Sequence, residues 1–324
     1  MATEAGVSPA TVSRVMNGRF VGADEIAERV LQAAARLDYS PSYSARSLAL
    51  GHTQAVAFVA PDLRNPAFQT ILSGLSATAG DDGYRVLIGD SAESVSEEPL
   101  LAREVRRRCD ALVLCAPRMD QEELSGLAPA LQPMVLINRS GGGAVPTLNV
   151  DYYSGIRSLL EHLHDLGHRR IAYVSGPAHS ASNEHRRAGI RSFRDRHPET
   201  GVIEVAGGAS SQDGFEAVDS VLRAEVSAVL AFNDLVAIGL IGGLQDQGRS
   251  VPEDISVAGF DDIPFARYIA PPLTTASVPH EELGIQAWYR LRALIKGQEP
   301  AHDVVFQPRL EVRSSTAAPQ SSPR

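Results

Sequence analysis

The stretch from Val7 to Gly18 (VSPATVSRVMNG) places small polar side chains and one arginine on a single helical face. Ser8 can cap this helix through its hydroxyl, and Pro9 fits its first position. The outward positions are held by Ala10, Thr11, Ser13, Arg14 and Asn17. An arginine fork can bind a guanine edge and an alanine can meet a thymine methyl. We therefore expect this face to recognise base edges in a DNA major groove.

Three helices are needed to position that face. The opposite side of the stretch is apolar at i, i+3 and i+4, with Val12, Val15 and Met16. Upstream, ATEAGV predicts a short helix ending at Gly6, as in a helix-turn-helix. Downstream, a third helix begins at Asp24 and Glu25 and has one apolar face, formed by Ile26, Val30, Ala33, Ala34 and Leu37. A surface helix pair without DNA contacts is the alternative.

A second set of polar residues follows short apolar runs that begin at Ala55. The runs AVAFVAP, RVLIGD, ALVLCAP, MVLIN, RIAYVSG, AVLAFND and ISVAGFDD alternate with helical segments, which predicts parallel sheet with crossover helices. Ligands bind beyond the carboxyl ends of such strands. The candidates at those ends are Asn65, Phe68, Cys115, Asn138, Arg186, Asn233 and Asp261. Taken alone, each of these residues is more typical of a helix cap or turn. A shared role in ligand binding therefore requires that the fold bring them together at one cleft.

Composition excludes several protein classes. The chain of 324 residues is 44% apolar and 21% charged, which is typical of a globular protein with two or three domains. It has no apolar run long enough to cross a membrane and no signal sequence, so we expect a cytoplasmic protein. Cys109 and Cys115 lack zinc or redox spacing and are expected to be reduced core thiols. We expect no cofactor and no metal site at His162, His164 and His168.

Charge is distributed unevenly along the chain. Residues 1–53 hold five arginines and five carboxylates, so the whole net charge of −9 lies in residues 54–324. A neutral headpiece is less basic than most DNA-binding domains, because phosphate contacts dominate affinity. Dimerisation and backbone amides, or further N-terminal residues, would have to compensate.

The chain resembles the lactose/galactose repressor (LacI/GalR) family of bacterial transcription regulators. The resemblance rests on AGVSPATVSRVMNG, VLQAAARLDYSPSYSARSL, AVAFVAPDLRNPAF, LGHRRIAYVSGP, FNDLVAIG, ISVAGFDD and PPLTTASV, which occur in the family's order. It implies an all-α helix-turn-helix headpiece and an α/β core of two parallel-sheet subdomains, like a periplasmic sugar-binding protein. Met1 stands where the family has the valine of D-V-A, so we expect a natural start a few residues upstream.

The resemblance also implies the domain organisation. Tyr39 to Thr53 matches the hinge helix that orders on DNA, although a plain flexible linker is the alternative. Within this segment, Leu48 matches the leucine that the family inserts between base pairs. Ala45 matches a residue in close contact between the two hinge helices. Tyr39 is also expected to contact DNA. The expected divisions are a headpiece (1–38), a hinge (39–53), one core subdomain (54–150 with 278–307), a second core subdomain (151–277 with 308–318) and a disordered tail (319–324).

The family match assigns the effector contacts to Arg186, Asn233 and Asp261. Ala209 replaces an aromatic of some relatives and Asn138 replaces a common aspartate, which leaves a less charged pocket suited to a neutral sugar. Leucine heptads are absent from the C-terminus, so we expect a homodimer on a palindromic operator. The sequence leaves open whether the effector releases DNA or acts as a corepressor.

The sequence leaves three alternatives to a transcriptional repressor. One is a protein that binds an effector but not DNA, because its first helix is incomplete. A transport sugar-binding protein would share the core but leaves residues 1–53 unexplained. An enzyme on an α/β frame is disfavoured because the sequence has neither a G-x-x-x-x-G-K-[ST] loop nor a G-x-S-x-G elbow.

Overall fold

The computed structural model describes residues 1–16, 18–39, 51–143 and 145–320. The chain divides near residue 54 into two compact units, a headpiece and a core. The expected positions Asn17, Ala45 and Leu48 and the last four residues of the tail lie outside the described residues.

Within its described residues, the headpiece contains three helices: α1 (Ala2–Ala5), α2 (Pro9–Met16) and α3 (Asp24–Arg36). Gly6 ends α1 in the left-handed conformation, with φ 63°, which glycine adopts without steric cost. The amide of Thr11 donates to Ser8 Oγ at 3.1 Å, so Ser8 caps α2 as expected.

The centre of the headpiece is small and apolar. Its buried side chains are Ala5, Val12, Val30 and Ala33. The Arg29 guanidinium on α3 donates to the carbonyl oxygens of Ala5 (2.7 Å) and Gly6 (3.2 Å) and so holds the end of α1. Leu37 was predicted on the buried face of α3 but is 50% exposed, because the helix ends at Arg36 and the chain turns away.

The core consists of two lobes, each built on a six-stranded sheet. The first sheet is wholly parallel and has the order β11-β5-β4-β3-β1-β2. Its strands are β1 (Ala55–Ala60), β2 (Arg85–Asp90), β3 (Ala111–Cys115), β4 (Met134–Ile137), β5 (Thr147–Val150) and β11 (Val304–Phe306). Its helices are α4 (Pro66–Asp81), α5 (Glu98–Arg106), α6 (Gln121–Leu131) and α12 (His280–Ile295).

The second sheet has the order β12-β10-β9-β8-β6-β7 and is parallel except at its edge, where β12 runs antiparallel to β10. Its strands are β6 (Arg170–Val174), β7 (Gly201–Val205), β8 (Ala228–Ala231), β9 (Ser256–Asp261), β10 (Thr274–Ser277) and β12 (Arg309–Glu311). Its helices are α7 (Tyr152–Asp165), α8 (Ala181–Arg196), α9 (Ser211–Glu216), α10 (Val218–Arg223) and α11 (Asp234–Asp246), with a 3-10 turn at Pro264–Arg267.

The chain crosses between the lobes three times. It passes from the first to the second after β5, returns after β10, and crosses again between β11 and β12. On return it forms α12, which packs tightly on α4. A Cβ on Gly284 would lie 2.0 Å from the carbonyl oxygen of Ile71, so only glycine fits that crossing. The crossings bring the carboxyl ends of both sheets to one cleft.

Candidate functional site

A small, partly enclosed cavity lies in that cleft between the lobes. Both lobes line it, with Asn65, Phe68, Ala116, Arg118 and Asn138 from the first and Tyr152, Arg186, Asn233 and Asp261 from the second. Its volume is about 40 Å³. Small-molecule pockets measure roughly 300–1,000 Å³. The side chains therefore fill most of the space between the lobes in this conformation.

Arg186 is the most unusual group at the cavity. It projects from α8 and is 1% exposed. Its guanidinium carbon lies 4.2 Å from the ring centroids of Tyr152 and Phe260 and 4.5 Å from that of Phe232. Nε and Nη1 have no hydrogen-bond partner among the described residues. A buried donor without a hydrogen-bond partner costs free energy. The Arg186 guanidinium can therefore gain stability by donating to acceptor oxygens of a ligand, which the described part of the protein does not supply.

Asp261 ends β9 at the same cavity. Burial raises the pKa of its carboxyl to about 7, although the positive charge of Arg186 opposes that rise. Its backbone has φ 113°, a conformation that L-residues rarely adopt. His280 Nε2 lies 3.8 Å from Asp261 Oδ1, and burial lowers the pKa of this histidine to about 4. The histidine is therefore neutral near pH 7, and the aspartate titrates there.

The two asparagines of the first lobe are fixed through their oxygens. Asn65 Oδ1 accepts from the amide of Ala67 at 2.9 Å and caps α4. Asn138 follows β4 with φ 57°, and its Oδ1 accepts from the amide of Val150 at 3.0 Å. Both side-chain NH₂ groups remain as donors at the cavity. The lining thus offers amide donors on one side, and the donor Arg186 and the acceptor Asp261 on the other, which matches the two-way hydrogen bonding of hydroxyls.

Asn233 lines the cavity but is also structural. Its Oδ1 accepts from the amide of Val236 and its Nδ2 donates to the carbonyl oxygen of Ala209, both at 2.9 Å. The next residue, Asp234, is fully buried and accepts from Thr275 Oγ1 (2.6 Å) and the amide of Ile263 (2.8 Å). Asp234 therefore ties β10 and the loop after β9 to the start of α11.

Cys115 differs from the other expected residues because it does not line the cavity. Its side chain is wholly buried in the core of the first lobe, and burial raises the pKa of the thiol. The next residue, Ala116, reaches the cavity instead. A strand end is uncertain by a residue in sequence, and side chains alternate between faces, so a one-residue error changes the side.

Sequence reasoning missed Arg118, Tyr152 and His280. Arg118 is held by a two-point ion pair to Glu93, at 2.6 and 2.8 Å, and lies two residues beyond the alanine that replaces Cys115. Tyr152 opens α7 and His280 opens α12, so both follow crossings between the lobes. Tyr152 and His280 could have been found from the chain topology, because segments that cross between the lobes border the cleft.

The headpiece residues expected to read DNA lie on the outside of α2. Ser8, Pro9, Ala10, Ser13 and Arg14 are exposed and Thr11 is half-buried. Tyr39 is 46% exposed. The guanidinium of Arg14 makes no ion pair or hydrogen bond within the described residues, in contrast to that of Arg29. The outward face of α2 is therefore accessible from solvent.

Two family models match the chain. Residues 1–42 match the bacterial regulatory proteins of the lacI family, and residues 160–316 match a periplasmic binding protein-like domain. The HTH-type transcriptional regulator GalS of Salmonella typhimurium is 31% identical, with 99% of this chain and 97% of that protein covered. GalR of Escherichia coli is 32% identical, with 97% and 94% covered. The chain belongs to the LacI family.

Solved structures agree with this membership. The lac repressor dimer bound to operator and the anti-inducer ONPF superposes with a TM-score of 0.86 at 28% identity, covering 98% of each chain. A LacI family regulator from Enterococcus faecium with bound ribose superposes with a TM-score of 0.74 at 27% identity, covering 82% of this chain and all of that one. This LacI-family protein is thus a DNA-binding transcriptional regulator and not an enzyme. Among its described residues no helix is both long and apolar enough to span a membrane.

Proposed function

We propose that this regulator binds a palindromic operator as a homodimer in the cytoplasm, and that a sugar or sugar derivative held between the lobes sets its affinity for DNA. The observation that carries the effector site is Arg186, a buried guanidinium stacked among three rings with two unpartnered nitrogens. Relatives with bound ribose and a lac repressor dimer on its operator support the sugar, the DNA and the dimer.

The proposed effector contacts are the cavity-lining members of the expected set: Asn65, Phe68, Asn138, Arg186, Asn233 and Asp261. Ala116 takes the place of Cys115. Phe68 supplies an apolar surface, and the polar groups bind hydroxyls. A volume of about 40 Å³ holds about three waters at roughly 10–15 Å³ each, so a sugar enters only when the lobes move apart or the lining side chains shift.

The proposed DNA contacts are on α2 and in the segment after α3: Ser8, Pro9, Ala10, Thr11, Ser13, Arg14, Asn17, Tyr39, Ala45 and Leu48. Arg14 is the strongest candidate for a base contact, because its exposed fork can pair with guanine in two places. The effector controls this binding if it has different affinities for the DNA-bound and DNA-free arrangements of the lobes.

The test is operator binding by fluorescence anisotropy, with palindromic DNA from upstream of the protein's own gene and a panel of neutral sugars. We expect specific binding that one sugar strengthens or weakens. Arg14→Ala should lose about 1–3 kcal/mol of operator affinity and relax the preference at one base pair. Arg14→Lys keeps the charge without the fork, so it should retain non-specific binding but not that preference.

Two results would contradict the proposal. Full operator affinity and sequence preference in Arg14→Ala would show that another element reads the bases. Unchanged sugar response in Arg186→Met would show that the effector binds elsewhere.

A further inference from the structure

A second cluster of polar side chains lies at the far end of α7 from the cavity. It contains His164 near the end of α7, His197 at the end of α8, and Glu199 in the turn before β7. His164 is twelve residues beyond Tyr152, which places it roughly 18 Å along the helix from the cleft at 1.5 Å per residue. The cluster is therefore separate from the effector site.

One nitrogen of each histidine faces the same carboxylate. His164 Nε2 lies 3.6 Å from Glu199 Oε1, and His197 Nδ1 lies 3.5 Å from the same oxygen. The three ligand atoms lie within 4.8 Å of one another. Two imidazoles and a carboxylate at such separations are the ligand types and the spacing of a tetrahedral zinc site with one open position.

The other nitrogen of each ring is already engaged. His164 Nδ1 lies 2.9 Å from Thr200 Oγ1, and His197 Nε2 lies 2.9 Å from Glu161 Oε2. Metal-binding histidines usually bond to a hydroxyl, carbonyl or carboxylate through the nitrogen that does not hold the metal, which fixes ring orientation and tautomer. His164 Nε2 and His197 Nδ1 are therefore the ring nitrogens positioned to bind a metal ion beside Glu199.

The rings are also held by packing. Their centroids are 4.3 Å apart, and the ring of His197 stacks on Phe193 at 4.6 Å. The side chains of His164 and His197 are 14% and 23% exposed, and that of Glu199 is 52% exposed, so an ion can enter from solvent. Two arginines beside the cluster bind other atoms: Arg196 binds Glu161 at 2.8 Å, and Arg169 donates to the carbonyl oxygen of His164 at 2.8 Å.

We propose that His164, His197 and Glu199 bind a divalent transition metal ion, with Zn²⁺ as the best match. Glu161 and Thr200 orient the two histidines. The bound ion joins the C-terminal ends of α7 and α8 on the second lobe. This cluster differs from the three histidines His162, His164 and His168, which lie close together in the sequence and were expected not to bind a metal. His162 instead contacts Thr316 Oγ1 at 3.0 Å, and His168 contacts Ser227 Oγ at 2.8 Å.

The test is calorimetric titration of Zn²⁺ into the untagged, full-length protein in a chelator-free buffer. We expect one site per chain, weakened at least about tenfold in Glu199→Gln and abolished in His197→Gln. Glu161→Gln keeps all three metal ligands but removes the carboxylate that orients His197 and pairs with Arg196, and it should weaken binding about 10–100-fold. His179→Gln is the matched control, because this exposed histidine of the same lobe lies outside the cluster.

Co²⁺ gives a second readout, since tetrahedral Co²⁺ has visible absorption bands that are much more intense than those of octahedral aqueous Co²⁺. We expect the band in the wild type and in His179→Gln but not in His197→Gln. Absence of a stoichiometric zinc site in the wild type overturns the proposal. So does equal zinc affinity in the wild type and in Glu199→Gln, whose substituted side chain is half exposed and leaves the fold intact.

Discussion

At the scale of single residues, the cleft relies on charges that are kept out of water. Arg186 is enclosed by Tyr152, Phe232 and Phe260, so its charge is stabilised by ring faces instead of by an ion pair in hydrogen-bond contact. Burying this charge lowers the stability of the unliganded protein, and hydrogen bonds to ligand oxygens offset that loss. Selectivity for hydroxylated ligands follows from this cost.

Asp261 gives the site a pH dependence. Its folded pKa of about 7 is raised above the ordinary value, so folding favours the protonated acid, and this contribution to stability is lost as pH rises from about 4 through 7. Sugar hydroxyls donate stronger hydrogen bonds to the ionised carboxylate than to the neutral acid. We therefore expect effector affinity to increase from pH 6 to pH 8, by at most about tenfold per unit.

The measurement is sugar titration by intrinsic fluorescence at several pH values. Asp261→Asn keeps an acceptor oxygen but cannot titrate, so its weaker affinity should be flat over the same range. A wild-type profile as flat as that of Asp261→Asn would show that this carboxyl does not contact the effector.

The residues that line the cavity could be predicted where the ends of strands could be located in the sequence. Asn138, Asn233 and Asp261 stand directly after apolar runs, and all three line the cavity. Cys115 shows the limit, because a one-residue shift moves a side chain to the opposite face. Arg118 was missed because its position depends on the Glu93 ion pair, which joins residues 25 apart in the chain.

At the scale of elements, α2 depends on its N-cap. It has eight residues, and isolated helices this short are marginal in water. Ser8→Ala removes the side-chain acceptor for the Thr11 amide and should cost about 1 kcal/mol of local stability. Hydrogen exchange at the α2 amides should then be about fivefold faster, in the absence of DNA.

Ser8→Thr is the matched control, since threonine also caps. It should leave the exchange rates near those of the wild type. Equal exchange in Ser8→Ala and the wild type would mean that packing of Val12 on α3, and not the cap, sets the stability of α2.

Elements were predictable when they were long or wholly buried. All seven apolar runs form strands. The missed strands are short or polar, such as β5 (TLNV), or lie at exposed edges, such as β7. The antiparallel edge β12 could not be predicted, because its partner β10 lies more than thirty residues earlier and nothing local specifies the pairing.

At the scale of the whole molecule, the division near residue 54 predicts separate responses to ligand. A ligand that binds only the folded core at about 100 times its Kd stabilises that unit by about 2.7 kcal/mol. Differential scanning calorimetry should show the core transition several degrees higher with effector, while the headpiece transition stays in place.

Arg186→Met should abolish that increase without changing the headpiece transition. An equal shift of both transitions would mean that the two units unfold as one. The exact limits of the subdomains, at residues 150, 277 and 307, stay a prediction of the sequence.

The three crossings have a consequence for synthesis on the ribosome. The edge strands β11 (Val304–Phe306) and β12 (Arg309–Glu311) complete the two sheets, so neither lobe has all its strands until these residues have been made. The three described headpiece helices end at Arg36, so they can form early in translation. A nascent chain stalled before residue 300 would therefore carry a finished DNA-reading unit attached to two open-edged sheets, which is the form most exposed to misassembly.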